Sequence, residues 1–161
     1  MDGVVKCAIC GKKIVGTASK DHVFPRALYK WSECCVSQTA YAELKKMIEG
    51  ADNQVKTHES CNKAKEDEIP TIGCLHIEKD KMERLEALKD ALDATISYYT
   101  LHKYHLLQKQ KERCFGCGEK IKGQGVLRRI DPDKDRKWEN AAIVCHNCNT
   151  ENADFIQFIG S

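Results

Sequence analysis

No stretch of this chain approaches the roughly 20 consecutive apolar residues that a membrane span requires. Its first residues, Met1-Asp2-Gly3-Val4-Val5-Lys6, likewise carry no apolar run of signal-peptide length. These absences argue against a membrane partner and set the expectation of a cytoplasmic, reducing environment. Net charge is scarce too: 26 Lys and Arg against 24 Asp and Glu leave +2, too little to announce a nucleic-acid binder by itself. The signature of disorder is missing, since 42% of the residues are hydrophobic and 31% charged. Length is short as well. The 161 residues make one ordinary domain or two small ones, and a domain of half that size buries a thin core. Folded protein is expected throughout, stapled by something other than its core.

The staple lies in the ten cysteines. Cys7 and Cys10, Cys114 and Cys117, and Cys145 and Cys148 each enclose two residues. In a reducing compartment disulfides are rare, and paired spacings of this kind favour zinc. Cys34, Cys35 and Cys74 fall outside the pairs and are expected to be small buried hydrophobes. Charge is unevenly distributed. Residues 1–30 hold Lys6, Lys12, Lys13, Lys20, Arg26 and Lys30 against Asp2 and Asp21, and residues 120–137 are again basic. A basic run is commonly a solvated face, but coincidence with metal motifs raises the phosphate-contact reading.

The sequence repeats itself. Cys7-Ala-Ile-Cys10-Gly-Lys-Lys-Ile14 matches Cys114-Phe-Gly-Cys117-Gly-Glu-Lys-Ile121. Each copy then has a proline, Pro25 or Pro132, and an asparagine five residues before a second pair: Asn53 before His58, and Asn140 before Cys145. The copies close alike, on His58-Glu-Ser-Cys61-Asn62 and Cys145-His-Asn-Cys148-Asn149. Between them, no Gly or Pro interrupts the chain from Gly73 to Cys114, and Met82, Leu85, Leu88, Leu92, Ile96, Tyr99 and Leu106 recur at helical steps. A continuous helix over 76–112 would be about 55 Å long at about 1.5 Å per residue, unless broken near Tyr98-Tyr99-Thr100. It is either core packing and spacer or a dimerisation helix. A shorter helix is expected after Ser37, with Tyr41, Leu44 and Ile48 on one face and Gly50 as its stop. The runs 54–57 and 141–144 are strand candidates, and a short helix is expected after each closing pair.

Four soft or borderline ligands can hold one tetrahedral zinc per copy: Cys7, Cys10, His58 and Cys61, then Cys114, Cys117, Cys145 and Cys148. Should His58 be an ordinary surface histidine, Cys74 or a neighbouring thiol is the replacement. Zinc binding of this kind can substitute for a small core. A zinc with four protein ligands is closed, so any catalysis must come from elsewhere. Asp21-His22 offers a hard oxygen ligand beside a proton acceptor. Adjacent residues on a strand point to opposite faces, so the backbone there must twist for both to serve one phosphodiester.

The order Cys7-x-x-Cys10, Asp21-His22-x-x-Pro25, Asn53, His58-x-x-Cys61-Asn62-x-x-Lys65 resembles the HNH, or His-Me finger, family of nucleases. The resemblance covers residues 7–65 as a series of motifs. It implies a ββα fold gripping one divalent ion, Mg²⁺ or Mn²⁺. On that basis His22 is the general base, Asp21 and Asn62 are ligands of the catalytic ion, and Asn53 braces the loop carrying the base. A neutral imidazole can take a proton near pH 7. Lys20, Arg26 and Lys65 are candidate phosphate contacts, and equally candidate solvated charges. Asn62 has a competing reading as a helix N-cap. One departure from the family is the long segment 23–52 between His22 and Asn53, whose helix could shape substrate choice.

Aligning Pro132 with Pro25 sets Arg128 at the place of Asp21 and Arg129 at that of His22. Arginine is neither a base at neutral pH nor a ligand for a divalent cation. The second copy reads as catalytically dead, with Asn149 as a cap and Arg128 and Arg129 available to phosphate. The expectation is an α+β protein of two small zinc-stapled ββα-type modules, 1–72 and 114–161, joined by a helical connector over 73–113. Its expected function is divalent-metal-dependent endonuclease acting on nucleic acid, DNA in the first instance, with two structural Zn²⁺ and one catalytic ion, and a homodimer through the long helix as a candidate assembly. The alternatives are a non-catalytic zinc-dependent nucleic-acid binder and a zinc-organised protein-interaction adaptor.

Overall fold

A computed structural model describes residues 3–65, 68–123 and 125–150 of the chain; the last part of the expected module 114–161 lies outside the described residues. The fold is α+β, with two small antiparallel sheets set among helices. After the first knuckle come β1 (Ser19–His22), the short α1 (Ala27–Lys30), α2 (Gln38–Glu49), β2 (Gln54–Thr57) and α3 (Glu59–Lys65). Strands β1 and β2 pair with Ser19 opposite Thr57 and His22 opposite Gln54. Helices α4 (Lys79–Ala91) and α5 (Asp93–Lys109) lead to the second unit, β3 (Val126–Arg129), β4 (Ala141–Val144) and α6 (His146–Thr150). There Val126 is opposite Val144 and Arg129 opposite Ala141.

Helix α2 forms as its pattern predicts. The Ser37 hydroxyl accepts the Ala40 N–H at 3.1 Å, capping the first turn, while Leu44 and Ile48 are buried on one face. The helix stops at Gly50, whose backbone is extended (φ −70°, ψ 158°) rather than left-handed. The strand candidates 54–57 and 141–144 coincide with β2 and β4.

Four expectations are corrected. The connector is not one rod broken near Tyr98–Thr100; it breaks at Leu92 (φ −96°, ψ 1°), whose amide is shared between the carbonyls of Leu88 and Lys89. Leu92 is fully buried. The bend lets α4 lie on the turn before β2 while α5 packs on α1 and β4. The short helices begin inside the closing pairs rather than after them, α3 at Glu59 and α6 at His146, because the second ligand of each pair is reached one helical turn on. Asn62 and Asn149 therefore sit within helices and are not N-caps. Finally, Cys34, Cys35 and Cys74 are exposed, not buried; Cys34 and Cys35 lie on the turn between α1 and α2, and Cys74 on a short 3₁₀ turn before α4.

The two units share one core. Phe24, Leu28 and Ile48 from the first, Leu85 and Leu92 from α4 and its bend, and Ile143 and Val144 from β4 belong to a single cluster of buried apolar side chains. Trp31 and Trp138 meet across the units with ring centroids 5.6 Å apart. At the end of α5, the Gln110 side chain accepts the Ile143 N–H and donates to the Ile143 carbonyl, both at 2.8 Å. This ties the connector to the backbone of β4. No helix among the described residues is long and apolar enough to cross a membrane.

Candidate active site

The two ligand sets are assembled as their spacing predicts. The donor atoms of Cys7, Cys10, His58 and Cys61 all lie within 4.8 Å of one another, as do those of Cys114, Cys117, Cys145 and Cys148, and either set could hold a zinc ion. His58 Nε2 is 3.1 Å from the Lys13 carbonyl. A carbonyl can only accept, so Nε2 carries the proton and Nδ1 keeps its lone pair toward the sulfurs, with Cys10 Sγ at 3.3 Å. Such an outer bond fixes the tautomer a metal-ligating imidazole needs. Burial pushes the Cys7 thiol up, but the backbone amides of Cys10, His58 and Ile9 together outweigh it and hold the pKa down to about 6. Cys114 is held at about 7 by the same balance, the amides of Cys117, Cys145 and Gly116 outweighing burial. Each buried thiol is thus more acidic than an ordinary cysteine. The partner Cys61 goes the other way, to about 11, from burial and from its neighbours Cys7 and Cys10.

The repeat extends through the backbone. Cys7 N–H bonds the Lys12 carbonyl as Cys114 N–H bonds that of Glu119, and Ala8 N–H reaches Lys56 as Phe115 N–H reaches Ile143. Gly11 and Gly118 take the same left-handed conformation, φ 75° and 76°, that lets the knuckle turn back. At the end of β1 the Asn53 carbonyl receives the Val23 N–H at 2.9 Å. Its side chain accepts from Phe24 N–H at 2.8 Å and donates to the carbonyls of Phe24 (2.9 Å) and Ile48 (2.8 Å). Asn140 does the same for Ile130 and Asp131. The alignment of Pro132 with Pro25, and of Arg128-Arg129 with Asp21-His22, is therefore also an alignment of hydrogen bonds.

Asp21 and His22 end β1 just before this brace, and both line a cleft of about 840 Å³ together with Asn62, Lys20, Arg26 and Lys65. Asp21 is only 7% exposed, and burial raises its pKa despite the opposing Lys65 ammonium. Lys65, buried rather than solvated, stands 3.4 Å and 3.5 Å from the two Asp21 oxygens. Its short bond, 2.7 Å, goes to the His22 carbonyl. The Asn62 amide donates to Ser19 Oγ at 3.1 Å. Lys20 is exposed, and Arg26 is engaged by a carboxylate of α2.

That carboxylate, Glu49, carries no motif and was not anticipated. It ends α2, and Arg26 Nε and Nη2 grip it at 2.7 and 3.1 Å while the Tyr29 hydroxyl donates to it at 2.7 Å. These bonds, Arg26 first, hold its pKa down to about 2. The oxygen that accepts Arg26 Nη2 lies 3.4 Å from His22 Nε2, a ring nitrogen that is buried and has no partner in hydrogen-bond geometry. The inserted segment 23–52 thus delivers a fixed anion to the imidazole. The one available signal was helical phase: Glu49 follows Ile48 at the end of the amphipathic run, beside the segment that must fold back to Asn53.

In the second unit Arg128 and Arg129 line the same cleft. Arg128 Nη1 donates to Asn149 Oδ1 at 2.7 Å, so a guanidinium bonds the residue equivalent to Asn62. No family model, curated protein or solved structure matches this chain.

Proposed function

We propose that the chain is a divalent-metal-dependent endonuclease of the HNH type, whose first unit is the ββα-metal site and whose second is a catalytically dead copy. The observation that carries this reading is the convergence of Asp21, His22 and Asn62 on one basic cleft, with Asn53 bracing the strand end that holds the first two.

The residues fit a hard cation. Asp21 presents a desolvated carboxylate whose ammonium partner is 3.4 Å away, looser than the 2.7–2.9 Å typical of a tight charge-assisted bond. Asn62 adds a neutral carboxamide oxygen in the same cleft. One carboxylate and one carboxamide leave positions for water and phosphate oxygens, which suits Mg²⁺ or Mn²⁺. Bound there, such an ion would polarise the scissile phosphate and stabilise the leaving 3′-oxygen.

His22 accepts the proton of the attacking water. The Glu49 carboxylate beside Nε2 favours the tautomer protonated at that nitrogen, leaving the Nδ1 lone pair as the base. Lys65 anchors the His22 carbonyl and balances Asp21 until an ion does so. The two zinc clusters hold the scaffold and take no part in the chemistry.

The test is cleavage of DNA by the zinc-loaded chain with and without added Mg²⁺ or Mn²⁺. Cleavage that requires the added ion supports the reading. Salt-sensitive binding without cleavage of duplex, single-stranded or branched DNA or RNA would leave a zinc-dependent binding module instead.

A further inference from the structure

The cleft that holds Asp21 and His22 is completed by the second unit, and that side is basic. Arg128, Arg129 and Arg136 line it, sharing the space with Lys20 and Lys30 of the first unit. Asp21 is the single acidic side chain among its described lining residues. Two of the guanidiniums are held in place: Arg128 on the Asn149 carboxamide at 2.7 Å, and Arg129 Nη1 on the Lys134 carbonyl at 3.2 Å. Burial, and after it the neighbouring Arg129 charge, pushes the Arg128 pKa down. Like charges fixed side by side in a recess are relieved by an anion, and a planar fork held at one end is prepared for phosphate.

We infer that this arginine side binds the phosphate next to the one at Asp21 and His22 on the same strand, so that the cleft takes an unpaired nucleic-acid strand rather than a closed duplex. The inference rests on the nuclease reading for which phosphate is cut, and on the cleft alone for the binding. Shape decides between strand and duplex. Proteins that read a duplex push a helix or ribbon outward into a groove about 12 Å wide. Here the reactive residues lie in a recess of about 840 Å³, the scale of a small-ligand site, between units locked together by Trp31 and Trp138. A single strand, free of a paired partner, can splay its phosphates along such a recess, as in positively charged single-strand grooves. The second unit, having lost its base and its metal carboxylate, keeps the same scaffold position and uses it to hold substrate.

The test is fluorescence anisotropy with the full zinc-loaded chain carrying His22→Ala, which prevents cleavage. The probes are a fluorescein-labelled single-stranded DNA of about 16 nucleotides, the upper size of a single-strand groove, and the same sequence as a duplex, each titrated over a range of salt. The expected result is that the strand binds at least about tenfold more tightly than the duplex. Arg129→Gln with Arg136→Gln should then flatten the salt dependence for the strand by about 1.4, from about 0.7 per phosphate contact, with zinc content unchanged. Arg128 is left intact because it braces Asn149. If the double variant loses zinc, Arg136→Gln alone decides, with a slope change of about 0.7. Equal or tighter duplex binding, or an unchanged slope, overturns the inference. Wild-type cleavage measured in parallel separates the two readings: strand binding with slope loss but no cleavage overturns the nuclease and leaves the strand cleft, while cleavage with an unchanged slope does the reverse.

Discussion

The first and second units of this protein share a knuckle, a strand pair, a bracing asparagine and a helix, and they differ at the end of one strand. In the first, β1 ends on Asp21 and His22; in the second, β3 ends on Arg128 and Arg129. The hydrogen bonds that shape those strand ends are the same, from Asn53 in one case and Asn140 in the other. Scaffold and chemistry are therefore separable. Where the first unit presents a carboxylate beside an asparagine of the helix, the second joins that asparagine directly to a guanidinium, a cation built into the chain.

The comparison can be broken most severely at the metal ligands. Cys7→Ser and Cys114→Ser should each remove one of two bound zincs, with a loss on the scale of the roughly 10–16 kcal/mol that zinc contributes in zinc-finger peptides. Because the units share a core, either change should lower the stability of both. Zinc titration with thermal melts checks this, and independent melting of the untouched unit would break the shared-core account. Next comes Glu49→Gln, which keeps the shape but removes the anion beside His22. Loss of such an orienting partner typically costs about 10–100-fold, and single-turnover cleavage should fall by that much, while zinc content and strand affinity hold.

The proton balance at Asp21 gives a third contrast. Burial raises its pKa, and only the ionised form can ligate a cation. Cleavage should therefore fall as pH drops through that raised value, at higher pH than for an ordinary carboxylate near 3.9. Since the ion competes with one proton, a tenfold increase in Mn²⁺ should move this acid limb about one pH unit lower. A limb indifferent to Mn²⁺ would remove Asp21 from the ion's ligands. The last contrast separates the two braces. Asn53 is fully buried and Asn140 is not, so Asn53→Ala should cost about 3 kcal/mol and Asn140→Ala about 1 kcal/mol in chemical denaturation, from backbone groups left without partners.

What the sequence revealed depended on spacing. The two four-residue clusters that could hold zinc, the alignment of Pro132 with Pro25, the helix after Ser37 and the strands at 54–57 and 141–144 follow from local patterns, and each is present. What it hid is tertiary. Glu49 reaches His22 because a helix of the inserted segment folds back on α1, and no local pattern encodes that contact. Lys65 looks like a phosphate-binding cation until its ammonium is seen on the Asp21 carboxylate and the His22 carbonyl. The helix break falls at Leu92, a fully buried residue of the shared core, and not at the tyrosines. The meeting of Trp31 with Trp138 joins residues more than a hundred positions apart in the chain.

The most direct measurement is cleavage of labelled single-stranded and duplex DNA in Mg²⁺ by the wild type, His22→Ala and Arg129→Ala, all at matched zinc content. The account predicts that His22→Ala loses about 10²–10⁴-fold, the usual contribution of a general base, at saturating substrate. Arg129→Ala should keep that rate and lose only affinity. Equal loss of the chemical rate in both variants, or retention of it in His22→Ala, would contradict a live unit facing a dead one.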